Sequence, residues 1–379
     1  MPQLPPEIIH RIFSLAEKRT LHTLLFVSHQ FRLIASPLLY ASVHFVAGLI
    51  RTSERFLRTL VESPDNYLGR QVRRMTLSIF AFREDRYRDI YKPMLQRLSS
   101  LRHLHIVGSG IGSIASLHEL GQFFSLTRFS CLVFGTPGVE SASLAQFIES
   151  QPLIEYLGLS SWYDGPLRVG LGSLQKLHVL RVSLQTAPSM IVGRHITHLR
   201  IETRSHDDNS PFWSNLDCEA LGSVVVFVVS SIHFDCLVKP VSRMPNLERL
   251  QLSPPLQLRQ ELLSSIITLD APKLRHIRFD ATWRLKGLGT PSSLYHDGVL
   301  KAFSAMNNLH CISFGVGQEW APAPKGVAPE RVPPAYDFFF RTIPSVRLRY
   351  RFGDSLESQW WEDWEAEYDV VQGALFTNR

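Results

Sequence analysis

The sequence contains little cysteine, and the four cysteines it has stand far apart. They are Cys131, Cys218, Cys236 and Cys311, with no Cys-x-x-Cys pair and no spacing typical of metal ligands. This pattern indicates reduced core residues, so we expect an intracellular protein of the cytoplasm, the nucleus or both.

Long apolar runs are also missing. The longest, Val224 to Val229, has the length of a buried strand, and a membrane-spanning helix needs roughly 18 apolar residues or more. The N-terminus has an amphipathic pattern where a signal peptide would carry its apolar segment. We therefore expect a soluble protein without a membrane partner.

The motifs of common enzyme classes are absent. The chain has no Gly-x-Ser-x-Gly, no phosphate-binding loop motif and no His-Glu-x-x-His. The glycines within Gly108–Gly112 follow a predicted strand, but Ser113 stands where a dinucleotide-binding motif has its third glycine. His206, Asp207 and Asp208 are adjacent and lack the spaced partners of a metal site. We expect no catalysis, no cofactor and no metal.

Basic residues exceed acidic ones, and the formal net charge is +6. The acids are unevenly placed, because residues 354–369 hold seven of them and no Lys or Arg. The rest of the chain is therefore more basic than the average. An excess of basic residues is typical either of a solvated surface or of nucleic-acid binding. Since the arginines are scattered, apart from Arg70, Arg73 and Arg74, we do not expect a nucleic-acid partner.

The first 45 residues have the pattern of three short helices. Pro5, Pro6 and Glu7 suit the start of a helix whose apolar positions recur at helical spacing. We expect Thr20 to cap the second helix and Pro37 to end the third. The apolar stripe of the first helix consists of Ile8, Ile12 and Leu15. Three helices of this size bury too little on their own, so the pattern predicts a partner surface.

The order of apolar residues in this segment resembles an F-box, in the form common in fungal proteins. The resemblance covers residues 4 to about 45, and its most specific parts are Leu4-Pro5, Val27-Ser28 and Phe31. It implies docking on the Skp-type adaptor of cullin–RING ubiquitin ligases. The residues at the motif positions are Leu4, Pro5, Ile8, Ile12, Leu24, Val27 and Phe31. On this basis Ile8→Glu combined with Leu24→Glu should abolish adaptor binding. The alternative is a plain helical cap on the rest of the chain.

After a predicted linker helix, the unit Leu-x-x-Leu-x-Leu recurs. Its copies begin at Val72, Leu101, Leu126, Ile154, Leu177, Ile196, Leu247, Leu274 and Leu309. The wide interval between the copies that begin at Ile196 and Leu247 indicates a divergent copy near Val224–Phe234. This signature at periods of about 20–29 residues is typical of a leucine-rich repeat, in which each copy adds one strand and a returning helix or turn. The alternative is a non-repetitive α/β domain.

The sequence thus predicts an α/β protein with an N-terminal three-helix F-box, followed by an irregular leucine-rich repeat solenoid with parallel strands. The predicted divisions are F-box 1–45, linker helix 46–70, an array of about ten repeats at 71–350 and an acidic, tryptophan-rich C-terminal cap at 351–379. The asparagine that usually follows each Leu-x-Leu strand is mostly missing, so we expect the asparagine ladder to be absent or replaced.

These features favour a non-catalytic substrate-recognition adaptor of a ubiquitin ligase. The F-box would join the Skp-type adaptor and the cullin scaffold, and the repeats would hold an unknown target protein. Candidate target-binding residues flank the strands on the concave face: Arg102, His105, Arg181, Arg200, Gln251 and Arg278. The alternative is an interaction or scaffold protein whose F-box-like module does not enter a ligase.

Overall fold

The computed structural model describes most of the chain up to residue 320. The described residues are 4–45, 50–80, 90–109, 118–134, 141–159, 167–203, 218–230, 235–253, 266–279, 301–302, 304–309, 311–314 and 318–320. The predicted C-terminal cap, the His206–Asp208 group and the last part of the Gly108–Gly112 run lie outside these residues.

Three helices form an N-terminal head: α1 (Pro6–Ser14), α2 (Lys18–Leu24) and α3 (His29–Tyr40). The prediction for Thr20 is wrong, because α2 begins at Lys18. The prediction for Pro37 is also wrong, because α3 continues through it. A proline removes only one backbone hydrogen bond here, and Leu38 and Leu39 hold the last turn by packing on the core of the head.

Beyond the head, the strands form one sheet in the order of the sequence. From β1 to β11 every strand is parallel to the next, and β12 is antiparallel to β11. The strands are β1 (Ser42–Phe45), β2 (Arg74–Phe80), β3 (His103–Ser109), β4 (Arg128–Phe134), β5 (Tyr156–Leu159), β6 (Val179–Ser183), β7 (His198–Glu202), β8 (Val226–Ser230), β9 (Arg249–Ser253), β10 (His276–Phe279), β11 (Cys311–Phe314) and β12 (Gln318–Trp320).

The second and third apolar positions of each predicted Leu-x-x-Leu-x-Leu copy lie on one of these strands, and the divergent copy corresponds to β8. The parallel α/β arrangement that the sequence predicts is therefore confirmed. Sequence reasoning missed β1, since its four residues carry no copy of the repeat. That strand places the end of the head in the sheet itself.

Helical segments connect the parallel strands. They are α4 (Ile50–Glu62), a short 3-10 helix (Pro64–Asn66), α5 (Lys92–Gln96), α6 (Ser141–Glu149), α7 (Ala187–Ile191), α8 (Cys218–Leu221) and α9 (Asp235–Ser242). Parallel strands need such crossover connections, because a tight hairpin can join only antiparallel neighbours.

The core lies between the sheet and these connections. Alternate strand residues point to opposite faces, and the Leu-x-Leu side chains that the structure describes point inwards. Leu104, Leu157 and Leu199 are typical, since each is 1% exposed or less. On β4, Phe129 packs edge-to-face against Phe147 of α6, with ring centroids 5.0 Å apart. The inward row is thus continuous from strand to strand.

Amide side chains that precede the strands join neighbouring repeats. The Gln151 side chain is 1% exposed, and its Nε2 donates to the carbonyl of Gly121 at 2.9 Å. Two asparagines act in the same way: Asn246 donates to the Gly222 carbonyl at 2.8 Å and Asn308 to the Pro272 carbonyl at 2.6 Å. Each of these bonds gives a turn carbonyl a side-chain donor.

Candidate functional site

Helix α1 has apolar side chains on two faces. Ile9 and Phe13 point inwards and are 8% and 6% exposed, whereas Ile8, Ile12 and Leu15 remain 45%, 52% and 85% exposed. The second set follows helical spacing of four and then three residues, so it forms one outward stripe. Glu7, His10 and Arg11 occupy the remaining, polar side of this amphipathic helix. An amphipathic helix normally buries its whole apolar face, so the stripe is the part of that face that the head leaves uncovered.

Exposed apolar side chains are concentrated in the head. Among the described residues eleven large apolar side chains are exposed, and seven of these belong to residues 4–33. Besides the stripe on α1 they include Leu4, Phe26, Val27 and Leu33. Single exposed apolar residues need no explanation, but a concentration of this kind marks an interaction surface.

The head has its own small core, separate from that of the sheet. Its buried members are Ile9, Phe13, Leu21 and Ala35, while the second core begins at Phe45 and Leu60. An edge-to-face contact between Phe13 and Phe31, with centroids 5.1 Å apart, joins α1 to α3. Four buried residues are too few to stabilise three helices alone. A partner surface that buried the outward stripe would therefore add to the stability of the head.

The predicted adaptor-binding residues divide into two groups. Leu4, Pro5, Ile8, Ile12 and Val27 are exposed. The other two, Leu24 and Phe31, are half-buried and pack against the core of the head. The Leu24→Glu change would therefore report on folding of the head as much as on binding.

Three further exposed apolar residues lie in the head: Leu15, which the sequence placed on the apolar stripe but not among the adaptor-binding residues, and Phe26 and Leu33, which it did not single out. Leu15 was detectable, since it continues the helical spacing of Ile8 and Ile12. Phe26, which follows α2, and Leu33, which lies within α3, carried no comparable signal, because neither continues a row of apolar residues at helical spacing.

Ser28 begins α3 as its N-cap. Its Oγ accepts a hydrogen bond from the Phe31 backbone N–H at 3.1 Å, and its own carbonyl accepts one from Arg32 N–H at 3.0 Å. The motif residue Ser28 thus has a structural task, which is to set where α3 starts and how the turn that carries Val27 enters it.

We expect Ser28→Ala to destabilise α3 by about 1 kcal/mol, because it removes the acceptor for the Phe31 N–H. Hydrogen exchange of the α3 amides should be faster in the variant. Ser14→Ala is a matched control, since Ser14 Oγ donates to the Arg11 carbonyl at an exposed helix end. Equal exchange in both variants would show that the cap is dispensable.

The head is tied to the sheet by backbone and side-chain hydrogen bonds. The carbonyl of Ala41 accepts bonds from the N–H groups of Arg73 and Arg74 at 3.0 and 2.9 Å. Lys18 Nζ donates to the Ser42 carbonyl at 2.7 Å, and its burial lowers the pKa of this ammonium. Because β1 pairs with β2 directly after α3, the head is connected to the sheet without a flexible linker at this point.

The outward face of the sheet has two rows of residues defined by strand register. Row A runs through Arg74, His103, Arg128, Tyr156, Val179, His198, Val226, Arg249 and His276. Row B runs through His44, Thr76, His105, Ser130, Gly158, Arg181, Arg200, Val228, Gln251 and Arg278. These positions alternate with the buried Leu-x-Leu positions, so both rows face away from the core.

Five of the six candidate target-binding residues occupy row B: His105, Arg181, Arg200, Gln251 and Arg278. The sixth, Arg102, is exposed but precedes β3, and it donates from a guanidinium N–H to the Ser125 carbonyl at 2.9 Å. The register therefore brings five candidates onto one line and leaves Arg102 at the edge.

Glu202 offsets part of the positive charge in the middle of row B. It is 8% exposed, and its Oε1 accepts a hydrogen bond from Arg181 Nε at 2.6 Å. The same oxygen lies 3.5 Å from Arg200 Nε. One buried carboxylate thus holds two guanidinium groups of the face, which keeps Arg181 in place despite its burial.

Histidines of the two rows have lowered pKa values. Desolvation by burial, with the charges of Arg128 and Arg74, lowers the pKa of His103 to about 4. Burial, with the charges of Arg181 and His44, likewise lowers the pKa of His105 to about 4. Both imidazoles are therefore neutral at physiological pH, and the positive charge of the face comes from its arginines.

Stability should fall as the pH is lowered from 6.5 towards 4. An unfolded histidine binds its proton near 6.5, whereas folded His103, His105 and His198 bind theirs only near 4. Within that window the unfolded state holds more protons, so folding stability is present above 6.5 and is lost on acidification. Urea unfolding midpoints measured above pH 6.5 and at about pH 5 check this. His105→Gln should reduce the drop, and the exposed His10→Gln should leave it unchanged.

Neither a metal site nor a membrane-spanning helix is found in the part of the chain that the structure describes. No group of three or more His, Cys, Asp or Glu side chains in it is placed to hold a metal ion. None of the helices found there has both the length and the apolar character needed to cross a membrane.

Comparison with known proteins bears on the head. Residues 1–46 match the F-box-like family, a segment that spans α1, α2, α3 and β1. No curated protein sequence matches the chain. F-box-like domains generally bind Skp-type adaptors, which agrees with the uncovered apolar side chains of the head. The chain thus carries an F-box-like domain at its N-terminus, and this domain supports its being an F-box protein.

Proposed function

We propose that the protein is the substrate-recognition subunit of a Skp–cullin–F-box ubiquitin ligase. The head binds the Skp-type adaptor, the adaptor joins it to the cullin scaffold, and the sheet holds the target protein. The observation that carries this proposal is the exposed stripe of Ile8, Ile12 and Leu15, which lies beside the buried Ile9 and Phe13 of α1.

In this proposal the sheet is an irregular leucine-rich repeat solenoid. Two observations support that assignment. Successive copies of Leu-x-x-Leu-x-Leu lie on successive parallel strands, and the amide side chains of Gln151, Asn246 and Asn308 join neighbouring copies. An array in which each repeat contacts its neighbours exposes a long outward face, which is the usual binding surface of such proteins.

The proposed mechanism is positional. The Ala41 carbonyl and the β1–β2 pairing connect the head to the sheet through short-range bonds. A target on the sheet face would then be held at a defined place relative to the adaptor. Holding target lysines near the ubiquitin-charged enzyme raises their effective concentration, so this subunit needs no catalytic residue of its own.

The alternative function is that of an interaction protein whose F-box-like head binds a partner outside any ligase. The same exposed stripe would serve that role, because apolar surface alone does not name its partner. The two functions differ in the presence of a cullin. The ligase function also requires the protein to be in the cytoplasm or the nucleus, where such ligases work.

Affinity purification of the full-length chain from cells, followed by mass spectrometry, separates these functions. The ligase function predicts that both a Skp-type adaptor and a cullin co-purify, and that both are lost together in the Ile8→Glu/Ile12→Glu variant. Adaptor without cullin would favour the alternative. Neither protein in the wild-type sample would remove the ligase assignment.

A further inference from the structure

We propose that the outward face of the sheet over β2–β4 binds an extended acidic segment of a partner protein, with Arg74 and Arg128 meeting its carboxylates. This inference rests on the proposed function only in taking that partner to be the ligase target. The binding surface itself follows from the register and the charges of the described strands.

Basic side chains meet at the start of β2, β3 and β4. Arg74, His103 and Arg128 stand directly opposite one another in row A. Neighbouring strands lie about 4.8 Å apart, so the three residues are within the span of a few residues of an extended chain. Arg73 and Arg102, both exposed, precede the strands at the same end. Two arginines of row A and two that precede the strands therefore lie at one end of three neighbouring strands.

The two rows contain no acidic residue anywhere along β1 to β11. Besides Glu202, which holds Arg181 and Arg200, the acids next to the rows are Glu155, which precedes β5, and Glu248, which precedes β9. In the described part of the structure, Arg73 and Arg74 make no ion pair. A face with one sign of charge attracts a partner of the opposite sign and raises its rate of association.

The geometry favours carboxylates of a protein over the phosphates of a nucleic acid. Burial and the flanking arginines lower the pKa of His103 to about 4, so the cationic groups of row A are separated by a neutral imidazole. A nucleic-acid duplex carries one charge per roughly 1.7 Å of its axis, which calls for denser cations than these strands provide. Guanidinium groups bind carboxylates through paired hydrogen bonds, and a peptide can space its acids to suit two arginines.

The test measures binding of a fluorescein-labelled peptide, in which glutamate alternates with serine, to the full-length protein by fluorescence polarisation. We expect Arg74→Glu/Arg128→Glu to weaken binding about tenfold or more. The milder Arg74→Gln/Arg128→Gln variant should weaken it in the same direction. A matched control is Arg168→Glu/Lys239→Glu, which changes two exposed cations outside both rows and should bind as the wild type does. Thermal unfolding of each variant checks that the sheet remains folded.

Three results would overturn the inference. The first is equal affinity, or no binding, across wild type and variants. The second is tighter binding of a single-stranded oligothymidine of the same charge, which would make the face a nucleic-acid surface. The third concerns the acidic residues 354–369 of the same chain. If replacing their Asp and Glu with Asn and Gln tightened peptide binding about tenfold or more, the occupant would be this segment and not a partner.

Adaptor binding separates failure of this inference from failure of the proposed function. Arg74→Glu/Arg128→Glu should retain the adaptor, because both residues lie outside the exposed stripe of the head. Ile8→Glu/Ile12→Glu should retain the peptide for the same reason. If the wild-type protein bound the adaptor but not the peptide, only the inference about the sheet face would be overturned.

Discussion

Replacing Ile8 and Ile12 with glutamate should weaken binding of a purified Skp-type adaptor about 100-fold or more. Both side chains lie on the outward stripe of α1 and are 45% and 52% exposed. Burying a charge without a partner in an apolar interface costs several kcal/mol, and two such charges should remove most of the affinity. Isothermal titration calorimetry of the full-length chain with the adaptor measures the change directly.

The matched control changes two exposed apolar residues outside the head, Val61→Glu and Leu171→Glu. Their exposed fractions, 51% and 64%, are close to those of the stripe. The control should bind the adaptor with wild-type affinity. Because Ile9 and Phe13 on the inward face are unaltered in the test variant, the helical signal of the protein should also be unchanged. Equal affinities for test and control variants would mean that the stripe is not the adaptor surface.

The second large effect should come from Glu202→Ala. This change leaves the buried guanidinium of Arg181 without its carboxylate and removes the charge that lies beside Arg200. Breaking a buried ion pair by removing one partner typically costs about 3–5 kcal/mol, since the remaining charge stays desolvated. Urea unfolding followed by circular dichroism should show a loss of this size.

The reason for the loss can be isolated with a second variant. Arg181→Leu/Glu202→Leu replaces both charged groups with apolar ones of moderate size, so no uncompensated carboxylate or Arg181 charge remains. It should recover most of the stability that Glu202→Ala loses. If Glu202→Ala alone costs less than about 1 kcal/mol, the pair does not stabilise this part of the sheet.

Sequence periodicity was sufficient to place the strands. Leu104 and Ile106, for example, alternate with His103 and His105, and this alternation by itself assigns each side chain to one face of the sheet. The divergent copy at β8 was found from the spacing of its neighbours. By contrast, β1 is short and carries no repeat, so its pairing with β2 depends on tertiary contacts that periodicity does not report.

The site was predictable only in part, for a similar reason. The F-box pattern identifies which residues belong to the head, yet it does not say which of them face outwards. Phe31 contacts Phe13 within the head, whereas Leu15 is exposed, and both are apolar residues on helices or at their ends. Likewise, Arg102 and His105 are close in sequence, but only His105 joins row B, because the strand begins between them.

Hydrogen exchange of the full-length protein with and without a Skp-type adaptor tests the central claim most directly. The claim is that the adaptor covers the outward stripe of a head too small to cover itself. It predicts slower exchange for amides of α1 and of the turn between α2 and α3 when the adaptor is present, with the sheet strands unchanged. Unchanged exchange in the head, or protection confined to the sheet, would contradict it.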